Sequence, residues 1–588
     1  MSSTGVIMKF KRNALAIAVM VATSALTACG SSSNDPEPVI EVPADPVNVA
    51  PTAITLSADT VDENAVGAEI GTLITMDANT GDTFTFTTDN TDFVITGDML
   101  ALAAESSFDF EKTTSVALNV TVTDNGGLAH TQELTIEVND VLDTYSFMSK
   151  LGDDTQSSVA YSGQIARQAL ISEFTHFIGN KLQTQLDDGT LASREAVITE
   201  LDKYFRTTDE QWDGFEITFL EDSKQKFFAN ISSSAKSLVG KIAGNDTKGQ
   251  EVDFLTDFAG WAPKGDLTPE SLVDMFLSQL ADNAATILSG AVRVDPITNE
   301  LIPVYVNEDG TDLKQLIQKF LLVSITYSQS AGDYLGADYE GKGLTTDNIS
   351  EVKNGYTNLE HQFDEGFGYF GATIDYLAYN DKEIGGKVKS ADDGRDNYNG
   401  KHDTNGDGEY DLLSEVIFGA ASNAAKRDLG TVGNTNPTDI TTQTMAAFIA
   451  GRKIINDNVG SALTEEQLNA LYIQRDLAIG GWEKALAATA IHYINDLNAD
   501  LEPLKNGEEF DFKTTAKHFS ELKGFALGLQ FNPFSKLSSA DFIKVHDLIG
   551  TKPVLAITDI EQYQEDLIVA RDILRDALEY DAVNVANW

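Results

Sequence analysis

"SVALNVTVTDNGGLAHTQELTIEVNDV", residues 115–141, alternates apolar and polar side chains on both sides of a glycine-rich break. A period of two places one face of each run against a core and the other in water, which is the pattern of paired β-strands. Upstream, "ITLSADTVDENAVGAEIGTLITMDA" (54–78), "DTFTFTTD" (82–89), "DFVIT" (92–96) and "DMLALAA" (98–104) are short runs of the same kind, separated by Gly, Asp and Asn. Their spacing predicts an antiparallel β-sandwich over 50–141, since about ninety residues suffice for one seven-stranded unit.

Beyond Val141 the period changes. "SGQIARQALISEFTHFIGNKL" (162–182), "NLEHQFDEGFGYFGATIDYLAYN" (358–380) and "TEEQLNALYIQRDLAIGGWEKALAATAIHYINDL" (464–497) carry apolar residues at helical spacing, as do several further segments down to the C-terminus. Thr464-Glu465-Glu466 and Pro269-Glu270 supply caps, proline and acids where helix N-termini favour them. Gly524 and Gly528, four apart, suggest close helix packing. The chain is therefore expected to be multidomain, a small all-β, Ig-like sandwich followed by a large all-α bundle over 142–588. At this length the bundle is expected to form two lobes, because single cores stop growing near roughly 250–300 residues.

The N-terminus has its own logic. Lys9, Lys11 and Arg12 precede an apolar run, Ala14 to Leu26, too short to span a bilayer, and residues 1–28 read as a secretory signal. "LTACGSSS" (26–33) contains the only cysteine, Cys29, and resembles the lipobox of bacterial lipoproteins, in which the thiol carries the lipid. That resemblance implies a membrane anchor at Cys29 and, with Gly30 after it, sorting to the outer membrane, with the protein facing the periplasm or the cell surface. Residues 29–49 have spaced prolines and acids and read as a disordered linker.

Asp and Glu number 91 against 41 Lys and Arg, a formal charge of -50. Such a surface repels phosphate backbones and argues against nucleic-acid binding, while it attracts divalent cations. "VDENAVGAEIGTL" (61–73), "FDFE" (108–111), "VTVTDNGG" (120–127) and "EVNDV" (137–141) resemble, in order, the signature segments of a cadherin repeat. The resemblance implies calcium ligands at Glu63, Asp109, Glu111, Asn139 and Asp140, with Asp77 and Asp124 facing the preceding segment. "DTNGDGEYDLLSE" (403–415) begins like a helical-protein calcium loop: Asp403, Asn405 and Asp407 at positions one, three and five, Gly408 at the sharp turn, then Glu409 and Asp411. Position twelve is Ser414, with Glu415 one step later.

The helical region is similar to an uncharacterised family of bacterial lipoproteins known only as a domain of unknown function. "VAYSGQIARQALISE" (159–173), "EHQFDEGFGYFG" (360–371), "FIAGRKII" (448–455) and "HFSELKGFALGL" (518–529) carry that resemblance. A looser analogy links it to imelysin-like proteins of metal uptake, whose Gly-x-His-x-x-Glu motif is not reproduced. Of seven histidines, His361 with Glu365 and His518 with Glu521 share helix faces, so they are the candidates for a bundle-core transition-metal site. Helical angles turn His361 and Glu365 away from Phe363, Phe367 and Phe370, and place His518 among Phe519, Leu522 and Phe525. No cysteine nucleophile, zinc-protease helix, phosphate loop or nucleophile elbow marks an enzyme. The sequence thus points to a non-catalytic, lipid-anchored calcium-binding protein with an interaction or adhesion role toward a protein or cell-surface partner. A transition-metal-handling protein is the alternative, and a metal-dependent hydrolase the weaker one.

Overall fold

The computed structural model describes residues 47–588 apart from 64, 105, 109, 111–112, 140–142, 152–155, 247–251, 354 and 396–397, and the backbone alone of 351–353. The chain divides into two compact units, Met1–Val141 and Leu142–Trp588. Cys29 and most of the linker lie outside the described residues.

The first unit is a two-sheet β structure. One sheet runs β1 (Ala53–Leu56), β3 (Glu69–Met76), β6 (Met99–Leu102), β5 (Phe93–Thr96); the other runs β2 (Thr60–Asp62), β8 (Ala129–Asn139), β7 (Ser115–Asp124), β4 (Phe84–Thr88). All pairings are antiparallel except β2 with β8. The alternation that predicts the fold is visible in the register: Leu118, Val120 and Val122 of β7 and Ile136 and Val138 of β8 point inward. They meet Ile54, Leu73, Leu100 and Leu102 from the facing sheet in one core. Thr121 and Thr131, opposite each other on the outer face, share a hydroxyl hydrogen bond of 2.8 Å.

The second unit is helical. Its longest helix, Glu465–Asn506, starts where a capping box forms: Thr464 accepts from the Gln467 N–H, and the Gln467 side chain accepts from the Thr464 N–H. It stops at Gly507, whose φ of 71° a side chain with a Cβ adopts only at a cost. Thr268 and Pro269 open the helix Pro269–Leu288 in the same way. Gly524 and Gly528 do mark close approach, since a Cβ on either would come within 2.6 Å of Lys319 or Val323 side-chain carbons. No helix among the described residues is long and apolar enough to cross a membrane.

Where two lobes were expected, the main hydrophobic core is continuous from Tyr145 to Trp588. The physical reason is the 42-residue helix Glu465–Asn506, buried through its middle at Trp482, Leu486, Ala490, Ile494 and Leu497, which joins neighbours along its whole length. The segments that carry the family resemblance meet in this core. Gln164 and Gln168 donate to Glu365 Oε1 (2.7 Å) and the Tyr369 carbonyl (2.7 Å). Arg452, wholly buried, pairs with Glu360 (2.9 Å) and Asp364 (2.8 Å) and donates to Ser158 (2.8 Å).

Candidate functional site

At the end of the sandwich where the chain enters β1, the β3–β4 loop and the β7–β8 turn converge. Asp77 follows β3, Asp82 precedes β4, and Asp124 closes β7. Carboxylate oxygens of these three lie within 4.8 Å of one another, and among the described residues they are the one group of three or more acids, histidines or cysteines that does so. Two oxygens bound to a common calcium at about 2.4 Å can be at most about 4.8 Å apart, so the spacing suits one shared ion.

Two of the acids are held by neighbouring groups. Asp77 Oδ1 accepts from the Asn79 N–H at 2.8 Å. Asp124 Oδ1 accepts from the Leu128 N–H at 2.9 Å and Oδ2 from Asn48 Nδ2 at 3.0 Å. Burial opposes ionisation of Asp124, but the Leu128 amide, Asn48 and the Gly126 and Gly127 amides outweigh it and hold its carboxyl below the ordinary range. Asp82 goes the other way. Partial desolvation first, then the charges of Asp77 and Asp124, raise it. Asp77 Oδ2 and Asp82 Oδ2 are buried and have no hydrogen-bond partner. Residues 47–141 contain sixteen acids, a single Lys and no Arg, and among the described residues no ion pair involves Asp77, Asp82 or Asp124. Asp77 and Asp124 were legible as calcium candidates by resemblance. Asp82, in the same β3–β4 loop as Asp77, was not among the positions that the resemblance assigned.

At the opposite end, Glu63 is buried and accepts from the Phe110 N–H at 2.8 Å, while Asn139 donates to Asp62 at 2.8 Å. Asp109, Glu111 and Asp140, the other ligands implied there, lie outside the described residues.

The loop 403–415 winds as its Asp/Gly pattern suggests. Asp403 accepts from the N–H groups of Gly406 (2.7 Å), Asp407 (3.2 Å) and Gly408 (2.8 Å), and Asn405 from Asp407 (2.8 Å). Its other acids are engaged elsewhere. Glu415 is buried and turns inward, accepting from Thr404 N–H and hydroxyl and from Asp411 N–H. Asp411 is taken by Lys224 (3.1 Å) and Gln225 (2.8 Å), and Glu409 by Lys226 (3.2 Å). Asp403, Asn405 and Asp407 thus remain as a small exposed set without the late carboxylate.

The suspected transition-metal residues form two separate places. His361 Nδ1 bonds the Ala160 carbonyl (3.0 Å), its ring stacks on Tyr356, and Glu365 lies 3.9 Å from Nε2. His518 bonds Asp500, whereas Glu521 is pinned by Lys319 (3.3 Å) and Lys517 (3.7 Å). No hydrogen bond or ion pair among the described residues joins one place to the other.

Residues 143–390 match the family described as "Domain of unknown function (DUF4856)". That span takes in Gln164, Glu360 and Asp364, and it ends before 403–415. No curated protein and no solved structure matches the chain.

Proposed function

We propose that this is a lipid-anchored, non-catalytic calcium-binding protein of the bacterial cell envelope, in which calcium occupies the Asp77, Asp82 and Asp124 end of the sandwich. The observation that carries the reading is the convergence of three carboxylates, two of their oxygens unpartnered, in a unit with one Lys. Like-charged oxygens held this close raise each other's energy unless a proton or a cation lies between them. Calcium, with six to eight oxygen ligands, uses such a set, and the three acids supply up to six. By drawing the β3–β4 loop and the β7–β8 turn together the ion stiffens the end of the sandwich where the chain enters β1.

An interaction role is supported by the outer face of the β1-β3-β6-β5 sheet. Ile74, Met76 and Val94 are about half exposed there among Thr55, Thr72, Thr96, Met99 and Ala101, with Glu69 opposite Ala101 at one corner. In so acidic a protein, a face this sparsely charged suits a protein or cell-surface partner.

Calorimetric calcium titration of the full chain tests the proposal. One or more equivalents are expected, with one lost in Asp82→Asn. Absence of calcium heat in the folded wild type would sink it.

A further inference from the structure

A second cluster combines ligand types that calcium does not select. In the helix Glu465–Asn506, His492 and Asp496 stand one turn apart, His492 Nε2 3.3 Å from Asp496 Oδ2. The helix Phe512–Leu527 brings His518 Nε2 to 3.8 Å from the same oxygen. Its other nitrogen, Nδ1, is 2.8 Å from Asp500 Oδ2, one further turn along the first helix.

Asp500 accepts from Nδ1–H of His518, which directs the Nε2 lone pair of the neutral ring at the Asp496 carboxylate. An oxygen anion facing a lone pair is repulsive, so a positive species belongs between them: a proton on Nε2 or a metal ion. Geometry favours the metal. Ligands about 2.1 Å from a tetrahedral ion lie about 3.4 Å apart, near both observed separations. The two histidine nitrogens stand more than 4.8 Å apart on either flank of Oδ2. Closing that edge needs one ring to rotate, and His492, with its side chain 28% exposed against 16% for His518, is the one nearer solvent. Asp496, 35% exposed, leaves a side open for water.

We infer that His492, Asp496 and His518 are the protein ligands of a divalent transition-metal site, with Asp500 as the positioning residue that orients His518. Two imidazoles and one carboxylate select zinc, iron or manganese over calcium. Glu521, the partner first suspected for His518, takes no part because two lysines hold it. The site shares no residue with the calcium cluster, and the two readings stand or fall separately.

The test is titration of the full chain with Co²⁺ in excess calcium, followed by the visible d–d absorption of the bound ion. One equivalent is expected, displaced by Zn²⁺, lost in His492→Ala and in His518→Ala, and weakened about 10–100-fold in Asp500→Asn. Asp82→Asn should bind cobalt as wild type does. His492→Gln, at the more exposed ligand, keeps the test decisive where His518→Ala fails to fold, as judged by circular dichroism. No cobalt absorption in folded wild type, or absorption unchanged in folded His492→Gln and His492→Ala, overturns the assignment.

Discussion

The two units handle negative charge in opposite ways. Residues 47–141 set sixteen acids against one Lys, and at one end three of them face each other with oxygens unpartnered. Residues 142–588 set 71 acids against 37 Lys and Arg, and there several buried acids are paired with cations inside the fold: Glu360 and Asp364 with Arg452, Glu521 with Lys319, Glu383 with Arg395. The difference teaches that overall acidity says little about cation binding. What matters is whether the fold supplies its own counter-charge where carboxylates converge.

The sharpest way to break the internal pairing is Arg452→Ala. It strands Glu360 and Asp364 at wholly buried positions, and about 3–5 kcal/mol of the helical unit's stability should be lost. Urea unfolding followed by tryptophan fluorescence reports this unit alone, because all four tryptophans lie beyond residue 141. An unchanged midpoint would mean the pair contributes only specificity.

Lys523 is the exception that sharpens the contrast. It is buried, 2.9 Å from His546 Nδ1 and 2.7 Å from the Gly260 carbonyl, with Trp261 above and only the charge of Asp547 to favour its ionised form. Burial pushes it down to about 7. Its folded pKa lies below the unfolded value near 10.4, so the unfolded chain binds more protons between those limits, and stability should rise with pH from about 7 to 10. Lys523→Met should flatten that rise by up to several kcal/mol in urea melts at pH 7 and pH 9.5; an equal slope in wild type and variant would place the titration elsewhere.

Calcium at 100 times its dissociation constant should stabilise the sandwich by about 2.7 kcal/mol, and Asp77→Asn or Asp82→Asn should remove most of that gain. Differential scanning calorimetry with and without calcium reads the shift; an equal shift in wild type and variants would exonerate these acids. In the loop 403–415, Glu415→Ala should cost about 1–3 kcal/mol, because the Thr404 and Asp411 N–H groups lose their buried acceptor. Asp407→Ala, at the exposed tip, should stay within about 0.5 kcal/mol. A larger effect for Asp407 in calcium than in chelator would show that the exposed set binds the ion after all.

The fold class was legible because hydrophobic period is local: two for 115–141, helical beyond. Thr464, Pro269, Gly524 and Gly528 were legible for the same reason, each signalling through its immediate neighbours. The sites were only half legible. Asp77 and Asp124 carried a family resemblance; Asp82 follows Asp77 in the same loop but was not among the positions the resemblance assigned, and only the fold brings Asp124 beside both. Glu415 read as a late calcium ligand, yet its inward turn depends on Thr404, eleven residues back. His492 and Asp496 lie within "HYIND" (492–496), but the stretch around them, "WEKALAATAIHYI" (482–494), reads as core, and only the approach of His518 from another helix makes it a site.

Hydrogen exchange of the full chain with calcium and with chelator tests the central claim most directly. Calcium should protect amides around 77–84 and 124–128 and leave 403–415 unchanged. Protection confined to 403–415, or none anywhere, would contradict the assignment of calcium to the sandwich.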